Sequence, residues 1–359
     1  MRVLVVNAGS ATLKLSLLDS DDSELLAREL EAPRATVAEE DVAAALGELP
    51  ATPDAVGHRI VHGGERFRSA VPIDEEVQAA LGELTVLAPL HQPKSLAAVD
   101  AVSRVLPDVP AVACFDTAFH ATLPPEAATY ALPREWRQRY GVRRYGFHGL
   151  SHAYAGRSVG DAGRVVTCHL GAGASLCAVR DGRSIDTTMG FTPLDGLVMA
   201  TRSGSVDPGL LMWLQQHEGI SVEVMADALE HESGLAGLAD TADMRELLAR
   251  GDEEARLAVR VYTHRLRAGI GSMTSALGGL DALVFTGGVG ERSARIRELA
   301  CGGLAHLGVE LDAEANARAE GGVDRDISLQ GSPARVRVVR AREDIEIARQ
   351  TRAVLAARG

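Results

Sequence analysis

Three short strings of small residues stand where an anion could be held: "NAGSATLK" at 7–14, "HLGAGAS" at 169–175 and "TGGVGE" at 286–291. Each follows an apolar run and offers backbone N–H groups with little side chain in the way, the arrangement that makes anion-binding concavities. Taken singly, each string suits a structural turn as well as a ligand loop, whereas three in one chain favour the ligand. Neither GxxxxGK[ST] nor GxGxxG occurs, so a nucleotide site here follows another plan. Two arginines extend the set. Arg59 interrupts the strand-like "AVGHRIVHG", and Arg202 lies among small residues in "MATRSGSVDPG". A buried guanidinium needs an anionic partner, and it grips carboxylate or phosphate through two parallel hydrogen bonds. A structural salt bridge is the plain alternative for either. Asp116 follows the apolar run "VPAVACF", a position suited to acid–base or Mg²⁺-associated work, and Asn7 and Glu343 are further oxygen ligands of the hard-cation type.

Histidines raise a metal reading that the spacing argues against. His58 and His62 are four apart, as are Asp116 and His120, and His148 and His152. "HRIVH" reads as a strand, where residues four apart are too separated to chelate easily, and no HExxH is present. In "YGFHG" the two glycines put His148 on a turn, where its imidazole can point into a cleft.

The elements that must position these residues alternate. Strands are expected at 3–6, 13–18, near 25–30, in "DAVGHRIVHGG", in "VPAVACF", in "DALVF" and near 335–339. Helices are expected at 39–49, at 74–84 with acidic residues at its start, after "APLHQP", in "SHAYAGRSVG" with Ser151 as N-cap, at 252–278 and at 343–356. Residues 120–146 read as a Pro- and Arg-rich connector with one short helix, and Asp181-Gly182 as a hairpin turn. The alternation gives an α/β class. An internal echo adds to it: "AGSATLKL" at 8–15 lies 163 residues before "GAGASLCA" at 171–178, each a small-residue turn between two strands. Two related halves are expected.

At 359 residues the chain is long enough for two domains. A net charge of −12 argues against a duplex-coating surface, so nucleic acid is not an expected partner. The four cysteines form no CxxC and read as buried free thiols in a reducing compartment. The opening "MRVLVVNAGS" is too soon interrupted for a signal peptide, and no stretch approaches 18 charge-free apolar residues. The expectation is a cytoplasmic protein with no membrane partner.

Read together, "VLVVNAGSATLK", "VGHRIVHGG", "LAPLHQP", "FDTAFH", "YGFHG", "SHAY", "CHLGAGAS", "DTTMGFTPLDGL", "TRSGSVDP", "FTGGVGE" and "EDIEIAR" resemble the acetate kinase family, within the acetate and sugar kinase, Hsp70 and actin superfamily. They span nearly the whole chain in one order. The resemblance implies an α/β fold of two duplicated actin-like (ribonuclease H-like) domains with an interdomain cleft: 1–117 plus 345–359 on the acyl and Mg²⁺ side, 118–344 on the nucleotide side. It implies reversible transfer of a phosphoryl group from ATP to acetate, giving acetyl phosphate and ADP, with Mg²⁺ (Mn²⁺ as an alternative) and a homodimeric assembly. It assigns Asn7 and Glu343 to the metal, Lys14 to phosphate, and Arg59, Asp116, His148 and Arg202 to catalysis. Nucleotide-binding positions are His169, Leu170, Gly171, Ala172 and Gly173, then Asp243, Met244 and Arg245, then Gly287, Gly288, Val289, Gly290 and Glu291. Val61, Leu90, Phe147 and Pro193, with Arg59, form the acyl pocket.

The chain departs from the family pattern at several points. Gly171-Ala172-Gly173 stands where Gly-Asn-Gly is usual, which removes side-chain hydrogen bonds near the phosphates and keeps the backbone N–H groups. Arg292 replaces the Asn of "GENS", Arg342 replaces the Asn beside the metal glutamate, and Thr12 replaces a Ser. The chain is also somewhat short for the family. Added positive charge near the nucleotide opens the reading of pyrophosphate as donor. A propionate or other short-chain acyl kinase, and an inactive nucleotide-responsive scaffold, are the other readings.

Overall fold

The computed structural model describes residues 1–9, 12–31, 39–89, 92–319 and 323–358. The chain divides into two compact units, one of Met1–Ala121, Phe147–Tyr154 and Arg342–Gly359, the other of Thr122–Gly146 and Ala155–Ala341. Residues 118–121, 147–154 and 342–344 therefore lie with the first unit, where the sequence reading grouped them with the second.

The first unit is built on a sheet of six strands: β1 Val3–Ala8, β2 Thr12–Leu18, β3 Glu24–Glu31, β4 Ala55–Ile60, β5 Val71–Pro72 and β6 Ala111–Phe115. Their order is β3-β2-β1-β4-β6-β5. β1 runs antiparallel to β2 and parallel to β4, so its "VLVV" stretch is buried on both faces. β2 alternates: Leu13, Leu15 and Leu17 point inward while Lys14 is exposed. β3 carries mostly exposed charged residues at the outer position, which blunts it as a pairing edge. The helix Glu343–Ala356 lays Ile347 and Ala348 against Val3, Val5, Val112 and Cys114, one of the sheet's cores.

The second unit repeats the plan with β7 Arg164–Leu170, β8 Ala174–Arg180, β9 Arg183–Thr187, β10 Ala282–Thr286, β11 Arg325–Asp326 and β12 Arg335–Val338. Read from β9 the order is β9-β8-β7-β10-β12-β11, with the same parallel and antiparallel pairings as in the first sheet. The duplication expected from the echo is thus present, although the echoed strings are out of step with it. The turns close on Ala8↔Leu13 and Leu170↔Ala174, so Ala8 corresponds to Leu170 rather than Gly171, and the first turn is one residue longer. Asp252 caps the long helix Glu253–Leu277, its side chain accepting from Ala255 N, and Gly278 ends it with φ +69°.

Local departures have simple causes. The connector holds two short helices, Pro125–Ala128 and Arg134–Tyr140, each opened by a preceding proline or one at its first position. Ser151 is buried inside the helix Gly149–Arg157 and is not its cap, since the helix starts two residues earlier. All four cysteines are free and buried, and burial pushes Cys114, Cys177 and Cys301 up to about 12. No helix among the described residues is long and apolar enough to cross a membrane.

Candidate active site

In the first unit the sheet brings four of the expected residues together. Asn7 lies at the end of β1, Arg59 near the end of β4, Asp116 directly after β6, and Glu343 at the first turn of the C-terminal helix. Arg59 Nη2 donates to Asp116 Oδ2 at 2.6 Å and Nε to the same oxygen at 3.1 Å, while Nη1 donates to Asn7 Oδ1 at 3.2 Å. Asn7 Nδ2 in turn donates to Glu343 Oε2 at 3.1 Å, and that carboxylate oxygen lies 3.9 Å from Arg59 Nε. The side chains of Asp116 and Arg59 are only 1% and 16% exposed. Burial raises the Asp116 carboxyl above its ordinary range, opposed by the Arg59 cation and reinforced by Glu343. For Arg59, burial works against the charge, but the Asp116 and Glu343 carboxylates outweigh it and its pKa is raised.

Phe147 and His148 belong to the same unit, joined to Asp116 by a backbone hydrogen bond from Gly149 N to Asp116 O of 3.0 Å. His148 has φ +56°, left-handed as the glycine-flanked string anticipates. Val61 and Phe147 are buried. Lys14 pairs with Asn7 across the β1–β2 ladder, which puts both side chains on one face; it is 58% exposed and lies 3.8 Å from Glu29. Leu90 lies outside the described residues. No group of three or more His, Cys, Asp or Glu able to hold a metal occurs among the described residues.

The second unit gathers the glycine-rich strings around a cavity of about 780 Å³. Gly171 and Ala172, then Asp243, Met244 and Arg245, then Gly288 and Val289 all line it. Its remaining wall includes the apolar Leu235, Leu248 and Tyr262. His169, Leu170, Gly173, Gly287, Gly290 and Glu291 are not among the lining residues. Leu170 is buried, and Gly287, at φ +78°, packs so close that an added Cβ would sit 2.8 Å from Leu170 O. Glu291 is a brace: its Oε1 accepts from Gly287 N at 3.0 Å and Ala341 N at 2.8 Å.

Arginines sort into paired and open. Arg245 is bonded to Asp243, which with the backbone bond to Arg245 N lowers that carboxyl to about 2. Arg342 bonds Asp344 in the first unit. Arg292 is exposed and lines the cavity. Arg202 donates from Nε to Glu230 Oε1 at 2.7 Å, the pair 19% and 12% exposed. Pro193 is half-buried in the second unit. Sequence reasoning missed Glu230, although an arginine among small residues does signal that an anion must be near. It also missed Tyr262, whose signal is the buried stripe Tyr262, Leu266, Ile270 and Met273 at helical spacing.

Residues 35–349 match the acetokinase family. The chain is 47% identical to an acetate kinase of Nostoc punctiforme over 357 residues, 96% of this chain and 85% of that one. The crystal structure of Porphyromonas gingivalis acetate kinase superposes with a TM-score of 0.90 at 36% identity, covering 99% of each chain. That of a propionate kinase from Francisella tularensis gives 0.89 at 34% identity, covering 98% of this chain and 99% of that one. The chain belongs to the acetokinase family.

Proposed function

We infer that this member of the acetokinase family transfers the γ-phosphoryl group of ATP to acetate, reversibly, giving acetyl phosphate and ADP. The observation that carries the reading is the part-buried Arg59 held by Asp116 and Asn7. Three of the five N–H groups of its guanidinium are committed to those partners, and two remain to receive a carboxylate. Acetate needs little general-base help, because its acid strength is near that of a side-chain carboxyl and it is ionised at pH 7. The harder task is charge: a carboxylate must approach an anionic triphosphate. Arg59 holds the acetate oxygens, with the buried Val61 and Phe147 of the same unit as apolar neighbours for the methyl group. His148 binds equatorial oxygens of the transferring phosphoryl group and Lys14 offsets further charge; Arg202, in the second unit, is an anion-binding group by the family resemblance. Asp116 orients Arg59 and, with a metal bound, would accept from its water.

Asn7 and Glu343, with Asp116 beside them, are a hard-oxygen set too small for an all-protein cage. That suits Mg²⁺ or Mn²⁺, which Glu343 and Asn7 would hold together with waters and substrate phosphates. Bound there, the ion neutralises phosphate charge.

The donor reading rests on size and lining. A cavity of about 780 Å³ with Leu235, Met244, Leu248 and Tyr262 on one wall has room and apolar surface for a nucleoside, which pyrophosphate lacks. Arg292 in the same wall keeps pyrophosphate as the donor to test against it. Propionate is the second acceptor to weigh, because a propionate kinase shares the fold as fully as an acetate kinase does. One methylene in an apolar pocket shifts discrimination by only about 1–3 kcal/mol. A homodimer is supported by the exposed Leu210, Met212 and Trp213 on the helix Pro208–His217, an apolar surface of the kind that marks association.

The test is hydroxylamine-trapped acyl phosphate from purified protein with Mg²⁺, crossing acetate, propionate and butyrate against ATP and pyrophosphate. ATP with acetate is expected to give the highest kcat/KM. A higher value with propionate or with pyrophosphate would reassign the acceptor or the donor, and nucleotide binding without acyl phosphate would refute the reading.

A further inference from the structure

The turn that carries His148 is held before and after that residue: Tyr145 N and Gly146 N donate to Gly190 O at 3.1 and 3.2 Å, and the peptides on either side of His148 are tied to Asp116–His120. His148 sits at φ +56° after Gly146 at φ +72°, a conformation unfavourable for a non-glycine residue that persists only where its surroundings impose it. The two hydrogen bonds to the peptides flanking His148 both come from the segment Asp116–His120. Gly149 N donates to Asp116 O at 3.0 Å, and the fit is so close that a Cβ at Gly149 would collide with that carbonyl oxygen. His120 Nε2 lies 3.0 Å from Phe147 O; since a carbonyl only accepts, the imidazole carries its proton on Nε2. His120 is 1% exposed, on the single turn Ala118–Thr122, with the rings of Phe119 and His152 edge-on at 5.6 and 5.7 Å. His152 N closes the arrangement by donating to His148 O at 2.9 Å.

We infer that His120 is a positioning residue: by anchoring the Phe147 carbonyl it fixes the left-handed turn at His148 and keeps that residue in step with Asp116. The inference rests on the reading of His148 as a phosphoryl-binding group. A buried histidine filling a core would also be edge-packed and hydrogen-bonded. What separates the two is the carbonyl it bonds, which belongs to the peptide entering His148, and the origin of the second restraint at Asp116 itself.

The experiment is steady-state kinetics on H148A, H120L, H120Q and H120L/H148A with ATP and acetate, each checked by thermal melting. A side-chain ¹⁵N spectrum of the unaltered protein is recorded beside it. H148A is expected to lose about a hundredfold in kcat, as for one transition-state donor. H120L is expected to lose about tenfold in kcat with KM for ATP unchanged, the mark of a misplaced group. H120Q, whose amide keeps an N–H donor, recovers most of it. On the H148A background H120L costs nothing further, because residues acting through one another are not additive. The spectrum shows His120 as the Nε2–H tautomer, an outcome that does not depend on any variant folding. A wild-type kcat for H120L, the same tenfold loss with His148 already absent, or an Nδ1–H tautomer would overturn the inference. H148A with wild-type kcat would overturn it by another route, through the failure of the His148 reading itself.

Discussion

The two units share a sheet and differ in what they put at its ends. Counted from the first paired residues of β1–β4 and β7–β10, Asn7 corresponds to His169 and Arg59 to Thr286; counted along β6 and β12, Asp116 corresponds to Ala341. In the first unit the ends of β4 and β6 are tied by the Arg59–Asp116 ion pair. In the second the same two strand ends are tied by one carboxylate, Glu291, accepting from the backbone of Gly287 and Ala341. Side chains in one unit hold charge against charge, whereas in the other they withdraw and leave glycine-rich backbone along a cavity. One scaffold thus ends its strands in two ways, in a charged side-chain cluster and in glycine-rich backbone, and the duplicated frame can diverge because strand ends tolerate either.

The sharpest way to break this contrast is R59A. It leaves Asp116 buried without its cation, so kcat/KM for acetate is expected to fall by about a thousandfold and stability by about 3–5 kcal/mol, read by kinetics and a denaturant melt. Retention of either within threefold would show that the ion pair does not organise the first unit. In the second unit G287A forces a side chain into a position at φ +78° and against Leu170 O. We expect KM for ATP to rise about tenfold or more while KM for acetate is unchanged, with a stability loss of about 1–3 kcal/mol; equal changes in both KM values would dissolve the division of labour. A172N returns an amide to the glycine turn and should raise kcat/KM for ATP, by about tenfold for one recovered hydrogen bond; no gain would mean the turn works through its backbone alone.

Acid offers the mildest probe. Burial lowers His58 to about 3 and His62 to about 4, and both lie in the first unit. Because the folded values are depressed, the stability each contributes is present above the unfolded value near 6.5 and is lost as pH falls toward 4. The loss is about 1.4 kcal/mol per pH unit for each group. Hydrogen exchange at pH 5 should therefore open the first unit's sheet before the second's, and simultaneous opening would contradict this. Asp116 has the opposite sign: its raised carboxyl favours the folded state below the unfolded value, an advantage lost as pH rises through the folded one. Its ionised form is correspondingly lost with falling pH earlier than for an ordinary carboxylate, so the acid limb of kcat/KM should sit high and vanish in D116N.

Much of this was readable from residue order because period and punctuation are local. "TLKLSLL" declares a half-buried strand, and the caps and glycines around 252–278 bound its helix. The glycine strings announced a cavity without saying that only some of their members would face it; whether Gly287 lines or packs is decided by Leu170, more than a hundred positions away. Partners were the hardest part. Arg202 asked for an anion, but Glu230 is fixed by a helix end and not by spacing. His120, four residues after Asp116 and argued against as a metal ligand, bonds the Phe147 carbonyl, a contact no periodicity encodes. The division of the chain was equally hidden, since 147–154 joins the first unit through contacts with a segment 30 residues earlier.

The helix Glu343–Ala356 has a consequence for how the molecule comes into being. It brings Glu343 to the first unit's charged cluster and Ile347 and Ala348 to the core beneath β1. Along the chain β1 comes before the whole second unit and that helix comes after it. The second unit has all its residues by Ala341, so it can fold while its elder twin waits with one sheet face bare. The first unit is thus begun before the second and completed only after it, and loss of that helix would uncover the core beneath β1, hundreds of positions earlier in the sequence.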